Sequence, residues 1–276
     1  VDIYGLQDEL KPEEEDKDVT VRKADLGRDI RSLISYAVGC MFGRYSLDAD
    51  GLAFAGGDWD ESKYKSFAPD ADNVLPITDE AYLPDDIVNN FCEWLKAAYG
   101  ADTLEENLDF IAKALGRDGS SSRDVIRSYF INDFFAEHCK TYSVTGSGKR
   151  PIYWLFDSGK ENGFKALVYM HRWNKDTITR VRSLYLHKIQ DKYENEVRTI
   201  DIMIKSMKDS RMIAMQDKRR AKLQKQIAEV KVYDEKLDHL ANDHIEIDLD
   251  DGVKVNYQKV QTDRNGKVYQ ILASIK

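Results

Sequence analysis

The stretch Leu33–Asp48, LISYAVGCMFGRYSLD, sets the reading of this chain. Working back to Asp25, the apolar residues Leu26, Ile30, Leu33, Ile34, Ala37, Val38 and Met41 recur at steps of three and four. That is the spacing of one face of a helix, and Asp25 is placed to cap it. Gly43 and the polar run Ser46–Asp48 stop the helix and leave Gly43-Arg44-Tyr45 in a turn. A core helix accounts for most of the stretch. Arg44 and Tyr45, just past its end, are free for a functional contact.

Outward from there the pattern stays mostly helical. Residues 47–84 carry no long period; they hold Gly51, Gly56, Gly57, Pro69, Pro76 and Pro84 among scattered aromatics. An irregular segment of this length in a compact domain is usually functional or mobile. Val74–Thr78 reads as a short edge strand within it. Asp85 or Asp86 caps a helix with Ile87, Val88, Phe91, Trp94, Leu95 and Tyr99, closed by Gly100. Thr103 and Glu106 have the capping-box spacing and open a helix that Gly116 ends. Ser121 or Ser122 caps a third helix running through Phe134. Pro151–Phe156 and Phe164–Met170, joined by a Gly-containing connection, read as a β-hairpin. From Asn174 to about Asp243 breakers are nearly absent. Two antiparallel helices of roughly 45–50 Å, with a tip within 208–218, are expected; one continuous helix is the alternative. Gly252–Tyr257 and Val268–Ile275, around the Asn265-Gly266 turn, read as a C-terminal β-hairpin. The expected class is α+β, mostly helical. It divides into an acidic mobile segment over 1–24, a helical domain over 25–148, and a hairpin-plus-arm portion over 149–276.

The 276 residues suffice for one large domain or two ordinary ones. No apolar run approaches the roughly 18 residues that span a bilayer, and there is no N-terminal signal segment. Cys40, Cys92 and Cys139 are odd in number and far apart, which fits buried thiols in a reducing cytoplasm. The chain begins at Val1, so a fragment is expected. The net charge of −8 is unevenly spread. Residues 1–148 hold 15 Lys and Arg against 30 Asp and Glu; residues 149–276 hold 26 against 19. A basic block in an acidic protein is either a solvated helix face or a phosphate-facing surface.

Catalytic chemistry is sought and not found. Methylating an adenine amine needs acceptors for that amine and an aromatic stacked on the flipped base, usually an Asn/Asp-Pro-Pro-Tyr/Phe loop. No Pro-Pro pair occurs, nor a Phe-x-Gly-x-Gly cofactor loop. Ala55-Gly56-Gly57 reads as a turn. Thr145–Lys149 resembles a phosphate loop only superficially, because Ser143 and Arg150 occupy positions that need Gly and Ser/Thr. No His-Glu-x-x-His or paired-Cys motif exists, and His239 and His244 are five apart. The acid pairs Asp85/Asp86, Glu105/Glu106 and Asp250/Asp251 are adjacent, so their side chains diverge instead of converging on a metal. Binding chemistry remains. Lys149, Arg150, Lys165, His171, Arg172, Lys175, Arg180 and Arg182 surround a hairpin that carries Tyr153, Trp154, Tyr169 and Trp173. Cations grip phosphates and aromatics reach bases, about half of the latter being expected to face a core. Lys218–Lys222, at or near the arm's tip, is a weaker candidate.

Several stretches resemble, in order, the C-terminal part of the adenine-specific DNA methyltransferases of BREX phage-defence systems, the PglX family. They are Leu33–Asp48, Leu83–Val88, Leu104–Leu108, Lys149–Trp154, Leu167–Arg172 and Ile247–Asn256. The resemblance implies that the full-length protein methylates adenine in duplex DNA with S-adenosylmethionine, held upstream of this region. For this portion it implies no catalytic, cofactor or metal residue of its own. The implied role is target recognition or DNA clamping, in the cytoplasm and away from membranes. Contact with other BREX components through the long helical hairpin is the alternative.

Overall fold

The computed structural model describes residues 24–145 and 148–275. The acidic segment over 1–24 falls, but for Ala24, outside the described residues. Helix α1 is Leu26–Met41, and the Asp25 carboxylate accepts from the Arg28 N–H at 2.7 Å. The segment that follows is irregular until the short strand β1, Leu75–Ile77. Helices α2 (Ile87–Tyr99), α3 (Leu104–Leu115), α4 (Ser122–Asn132) and α5 (Phe134–Thr141) complete the first half. Asp86 and Ser121 cap α2 and α4. The expected capping box at Thr103 does not form. A 3-10 turn over Ala101–Thr103 leads straight into α3, and the Thr103 hydroxyl donates back to the carbonyls of Tyr99 and Gly100. The third helix is interrupted at Asp133, which separates α4 from α5.

Two short strands, β2 (Ser143–Val144) and β3 (Gly148–Lys149), pair with each other. The hairpin is β4 (Tyr153–Asp157) and β5 (Lys165–Tyr169), and β1 adds to it in the antiparallel order β1-β5-β4. The sheet therefore joins the first half to the second, and the buried residues of both form one hydrophobic cluster. Helix α6 (Thr177–Arg180) passes through a π-helical stretch, Val181–Leu186, into α7 (His187–Ser206). After a turn at 207–209, α8 (Ser210–Ala241) runs back for about 48 Å at ~1.5 Å per residue. The antiparallel pair is as expected, and the turn lies at the very start of the expected window.

The C-terminal hairpin is not formed as expected. Gly252–Lys259 is a helix, α9, and the Asn265-Gly266 turn supports a single bridge, Thr262 to Val268. Val253, Val255 and Tyr257 alternate as a strand would. Docking overrides them: the Tyr257 hydroxyl donates to the Ala273 carbonyl at 2.5 Å, and the buried Asn256 amide donates to the carbonyls of Asp248 and Gly252. The tail instead lies along β4, with Leu272 bridged to Phe156.

Candidate nucleic-acid interface

The sequence-designated cations are mostly committed to other parts of the chain. Lys165 is buried, and its ammonium meets the Asp157 carboxylate at 2.7 Å. The Arg172 guanidinium donates to the carbonyls of Phe42, Asp70 and Ala71, and lies 4.6 Å from the Trp59 ring centre. Arg180 donates to the Asp72 carbonyl and sits 3.6 Å from its carboxylate. Arg182 grips Asp234 with two nitrogens, at 2.7 and 3.1 Å, and reaches Asp238 at 2.7 Å. His187 meets the same Asp234 oxygen at 2.9 Å. In an α-helix, residues five apart point about 140° apart; the π-helical turn between Arg182 and His187 brings them to one side. His171 is half-buried, its Nδ1 has no partner, and burial and then the Arg44 charge push its pKa down to about 4. Only Arg150 and Lys175 of the eight are exposed; Lys149 is half-buried.

The hairpin aromatics are core. Tyr153, Trp154, Tyr169 and Trp173 are all buried, and both indole N–H groups donate to backbone carbonyls, of Pro151 and Ile245. None of the four offers a face to a base. The Lys218–Lys222 run is not at the tip. Arg219 lies against Asp79, Glu80 and Glu196, Arg220 against Asp201 and Asp217, and Lys222 against Asp79. Burial opposes the charge of Asp79, but Lys222 and Arg219 more than offset it and hold the carboxyl below its ordinary value.

A different concave surface lies between α1 and α5. It is a cleft of about 530 Å³ whose lining includes Arg28, Arg31, Tyr45, His138, Lys140 and Tyr142. Arg28, Arg31, Ser32 and Ser35 fall on the helix face opposite the buried one, so the periodicity that buries Ile30 and Ile34 also aligns them. Arg28 pairs with Asp29 and Arg31 with Glu137, but these side chains are 34–51% exposed, and such pairs exchange readily for other anions. Lys140 is exposed at the far wall. Arg150 is carried beside the cleft, because its backbone N–H donates to the Tyr142 carbonyl at 2.7 Å. Lys149 is near as well. Burial pushes the Cys139 thiol to about 11, and the Lys149 charge pulls the other way.

The turn after α1 forms part of this surface. Arg44 and Tyr45 both donate their backbone N–H to the Gly39 carbonyl, which folds Tyr45 back over α1. A Cβ on Gly39 would lie 2.3 Å from the Tyr45 ring, so this close approach needs glycine. Gly43 has φ +75, and a Cβ there would meet the Trp59 ring at 2.4 Å. Arg44 is half-buried. It donates to the Tyr169 hydroxyl at 3.0 Å while its Nε has no partner. Burial opposes its charge; hydrogen bonds to Tyr169 and Tyr45 more than restore it and hold its pKa above the ordinary value. His138 is buried beneath. Its Nε2 accepts from the backbone N–H groups of Ile152 and Tyr153, and its Nδ1 has no partner. Burial, then the Arg44 charge, push the pKa of His138 down to about 3, so the ring is neutral.

Among the described residues no three His, Cys, Asp or Glu side chains group as metal ligands would, and no helix is long and apolar enough to cross a membrane. All strand pairs are antiparallel, and Ala55-Gly56-Gly57 leads only to a 3-10 turn at Glu61–Lys63. Among the described residues, the glycine-rich turn between a parallel strand and a helix that a dinucleotide takes in doubly wound folds does not occur. Arg28, Arg31, Lys140 and Tyr142 were missed by sequence reasoning. The readable signal was the second face of α1; the approach of α5 to it was not readable.

No family model matches the chain. The chain is 49% identical over 266 residues to the adenine-specific methyltransferase PglX of Lacticaseibacillus casei (strain Zhang), covering 95% of this chain and 22% of that protein. It is 38% identical over 260 residues to the adenine-specific methyltransferase BrxX of Escherichia coli O9:H4 (strain HS), covering 90% of this chain and 20% of that protein. It thus spans about a fifth of the length of the curated relatives it matches. On this similarity the chain matches, as one segment, part of the adenine-specific methyltransferases PglX and BrxX.

Proposed function

We propose that this segment is a non-catalytic, DNA-gripping portion of an adenine-specific methyltransferase of a BREX-type phage-defence system. In that reading S-adenosylmethionine and the catalytic loop belong to other parts of the full-length protein, which acts on cytoplasmic DNA. The observation that carries it is the α1/α5 cleft: exposed, exchangeable cations from both walls, with hydroxyls of Ser32, Ser35 and Thr141 between them. Such a surface takes phosphates in register without reading sequence. Of the residues named from sequence, Arg150 extends the same contact, with Lys149 next to it in the chain. Duplex DNA titrated into the chain should bind at 50 mM salt and be released by 200 mM, as counterion release requires. Unchanged duplex mobility at 50 mM salt overturns the proposal.

A second reading, a scaffold for other defence components, is favoured by the far end of the arm. Ile202, Met203, Met212 and Met215 are 40–68% exposed around the α7–α8 turn. Methionine-rich apolar ends adapt to protein surfaces. Substituting all four by Ser should leave DNA binding intact while abolishing any co-purification with BREX components; unchanged co-purification removes this reading.

A further inference from the structure

On the other side of the Gly43–Tyr45 turn lies a second recess, of about 640 Å³, lined chiefly by Phe54, Trp59, Glu61, Tyr64, Pro69 and Arg172. It is built by the irregular segment after α1, and that segment is firmly tied. The Asp48 carboxylate accepts from the backbone N–H groups of Lys65 and Ser66, at 2.7 and 2.8 Å. The Tyr64 hydroxyl donates to the Gly43 carbonyl at 2.6 Å. Trp59 and Tyr64 stack with ring centres 4.8 Å apart and planes 20° apart, and Phe54 meets Trp59 edge-on at 5.1 Å. Arg172 is held over the Trp59 ring by three backbone carbonyls. The walls are thus aromatic planes and a fixed guanidinium, with one exposed carboxylate, Glu61, among the lining residues.

A long segment without regular structure is usually retained for what it binds. Flat aromatic and guanidinium surfaces favour a flat π-system, because stacking on them tolerates any ring of that shape. A carboxylate adds selection: it accepts from an exocyclic amine, as Asp and Glu do from cytosine N4, and is matched less well by thymine, whose single N3–H is flanked by two carbonyls. We infer that this recess holds an unpaired nucleobase bearing an exocyclic amine, packed against its aromatic and guanidinium walls with its amine at Glu61. The inference rests on the DNA reading for its biological ligand, but its chemistry is separable. It also gives Arg172, designated from sequence as a cation for DNA, a role at a base instead of a phosphate.

The four tryptophans make the test specific. Trp94, Trp154 and Trp173 are 1, 0 and 9% exposed, which leaves Trp59 as the one a ligand can reach. The full chain is titrated with oligo-dA, oligo-dT and an abasic oligonucleotide of equal length, following tryptophan fluorescence and, separately, anisotropy of labelled DNA. Oligo-dA should quench with about 5-fold higher affinity than oligo-dT, and the abasic strand should bind without quenching. Glu61→Ala, at an exposed position where folding is undisturbed, should bring dA and dT within about 2-fold. Trp59→Phe should lose the signal and weaken oligo-dA binding about 3-fold in the anisotropy measurement, because the smaller ring offers the base less contact. Binding without quenching overturns the base site and leaves the DNA reading standing. Quenching by free deoxyadenosine with no duplex binding at low salt does the reverse. Equal quenching by dA and dT, unaffected by Glu61→Ala, overturns the assigned amine contact and with it the inference.

Discussion

The cations of the α1/α5 cleft and those of the hairpin and arm differ in what holds them. In the second half, Arg182, Lys165, Arg219 and Arg172 are largely buried and locked onto carboxylates or carbonyls. In the first half, Arg28 and Arg31 stand in pairs exposed enough to exchange, and Lys140 is exposed. Yet the second half carries the basic excess and the first the acidic one. Local net charge is therefore a poor guide to where a phosphate can sit. A buried arginine already holding two carboxylates cannot release them cheaply, whereas an exposed pair contributes under about 1 kcal/mol and yields to a stronger anion.

The largest effect expected from this contrast is on stability. Asp157→Ala leaves the buried Lys165 ammonium without its partner and should cost about 3 kcal/mol in denaturant unfolding. A loss under ~0.5 kcal/mol would show that Lys165 can turn outward, and would return it to the candidate surface. Arg182→Ala removes a bidentate contact of intermediate exposure and should cost about 2 kcal/mol while leaving DNA affinity unchanged.

Next comes a pH effect that marks the floor of the cleft. The folded-state pKa of His138 is depressed to about 3 from 6.5, so between those values the unfolded chain binds a proton that the folded chain does not. Its stabilising contribution is full above pH 6.5 and is lost as pH falls toward 3. Asp70 works in the opposite sense. Burial raises its pKa to about 6, so the folded chain holds an extra proton between about pH 4 and 6, and that contribution fades as pH rises through 6. His138→Gln should flatten the acid limb of stability below pH 6, and Asp70→Asn should gain about 1 kcal/mol at pH 8 and nothing at pH 4. An unchanged acid limb in His138→Gln would mean that the ring is protonated in the fold. The smallest stability change, within about 0.5 kcal/mol, is expected for Arg28→Ala, Arg31→Ala and Lys140→Ala combined.

The helices, their caps and the long antiparallel arm were legible because each depends on local spacing: Asp25, Asp86, Gly100, Gly116 and Ser121 all act within one turn of their own position. The alternation in 252–257 misled because it is equally compatible with a helix that docks through Asn256 and Tyr257, and only the tertiary partners decide. The internal partners of the basic aromatic hairpin were hidden for a related reason. Arg182 meets an aspartate 52 residues away, Arg219 one 140 away, and Trp173 a carbonyl 72 away. No local pattern announces such partners. The value of Leu33–Asp48 was also partly hidden. Its buried face was plain from period alone. Its two concave neighbours, the cleft at Tyr45 and the recess at Gly43, required the approach of α5 and of the 47–84 segment.

The central claim is that DNA is held by the exchangeable cations of the cleft and not by the locked cations of the arm. It is tested most directly by measuring duplex affinity as a function of salt for the Arg28→Ala, Arg31→Ala, Lys140→Ala combination beside Arg182→Ala. The expected result is about a 10-fold or greater loss at 50 mM salt for the combination, with the salt slope reduced by about 2 to 3, and no change in either for Arg182→Ala. Full affinity and an unchanged slope in the combination, with loss in a still-folded Arg182→Ala, would contradict the account and return the interface to the arm.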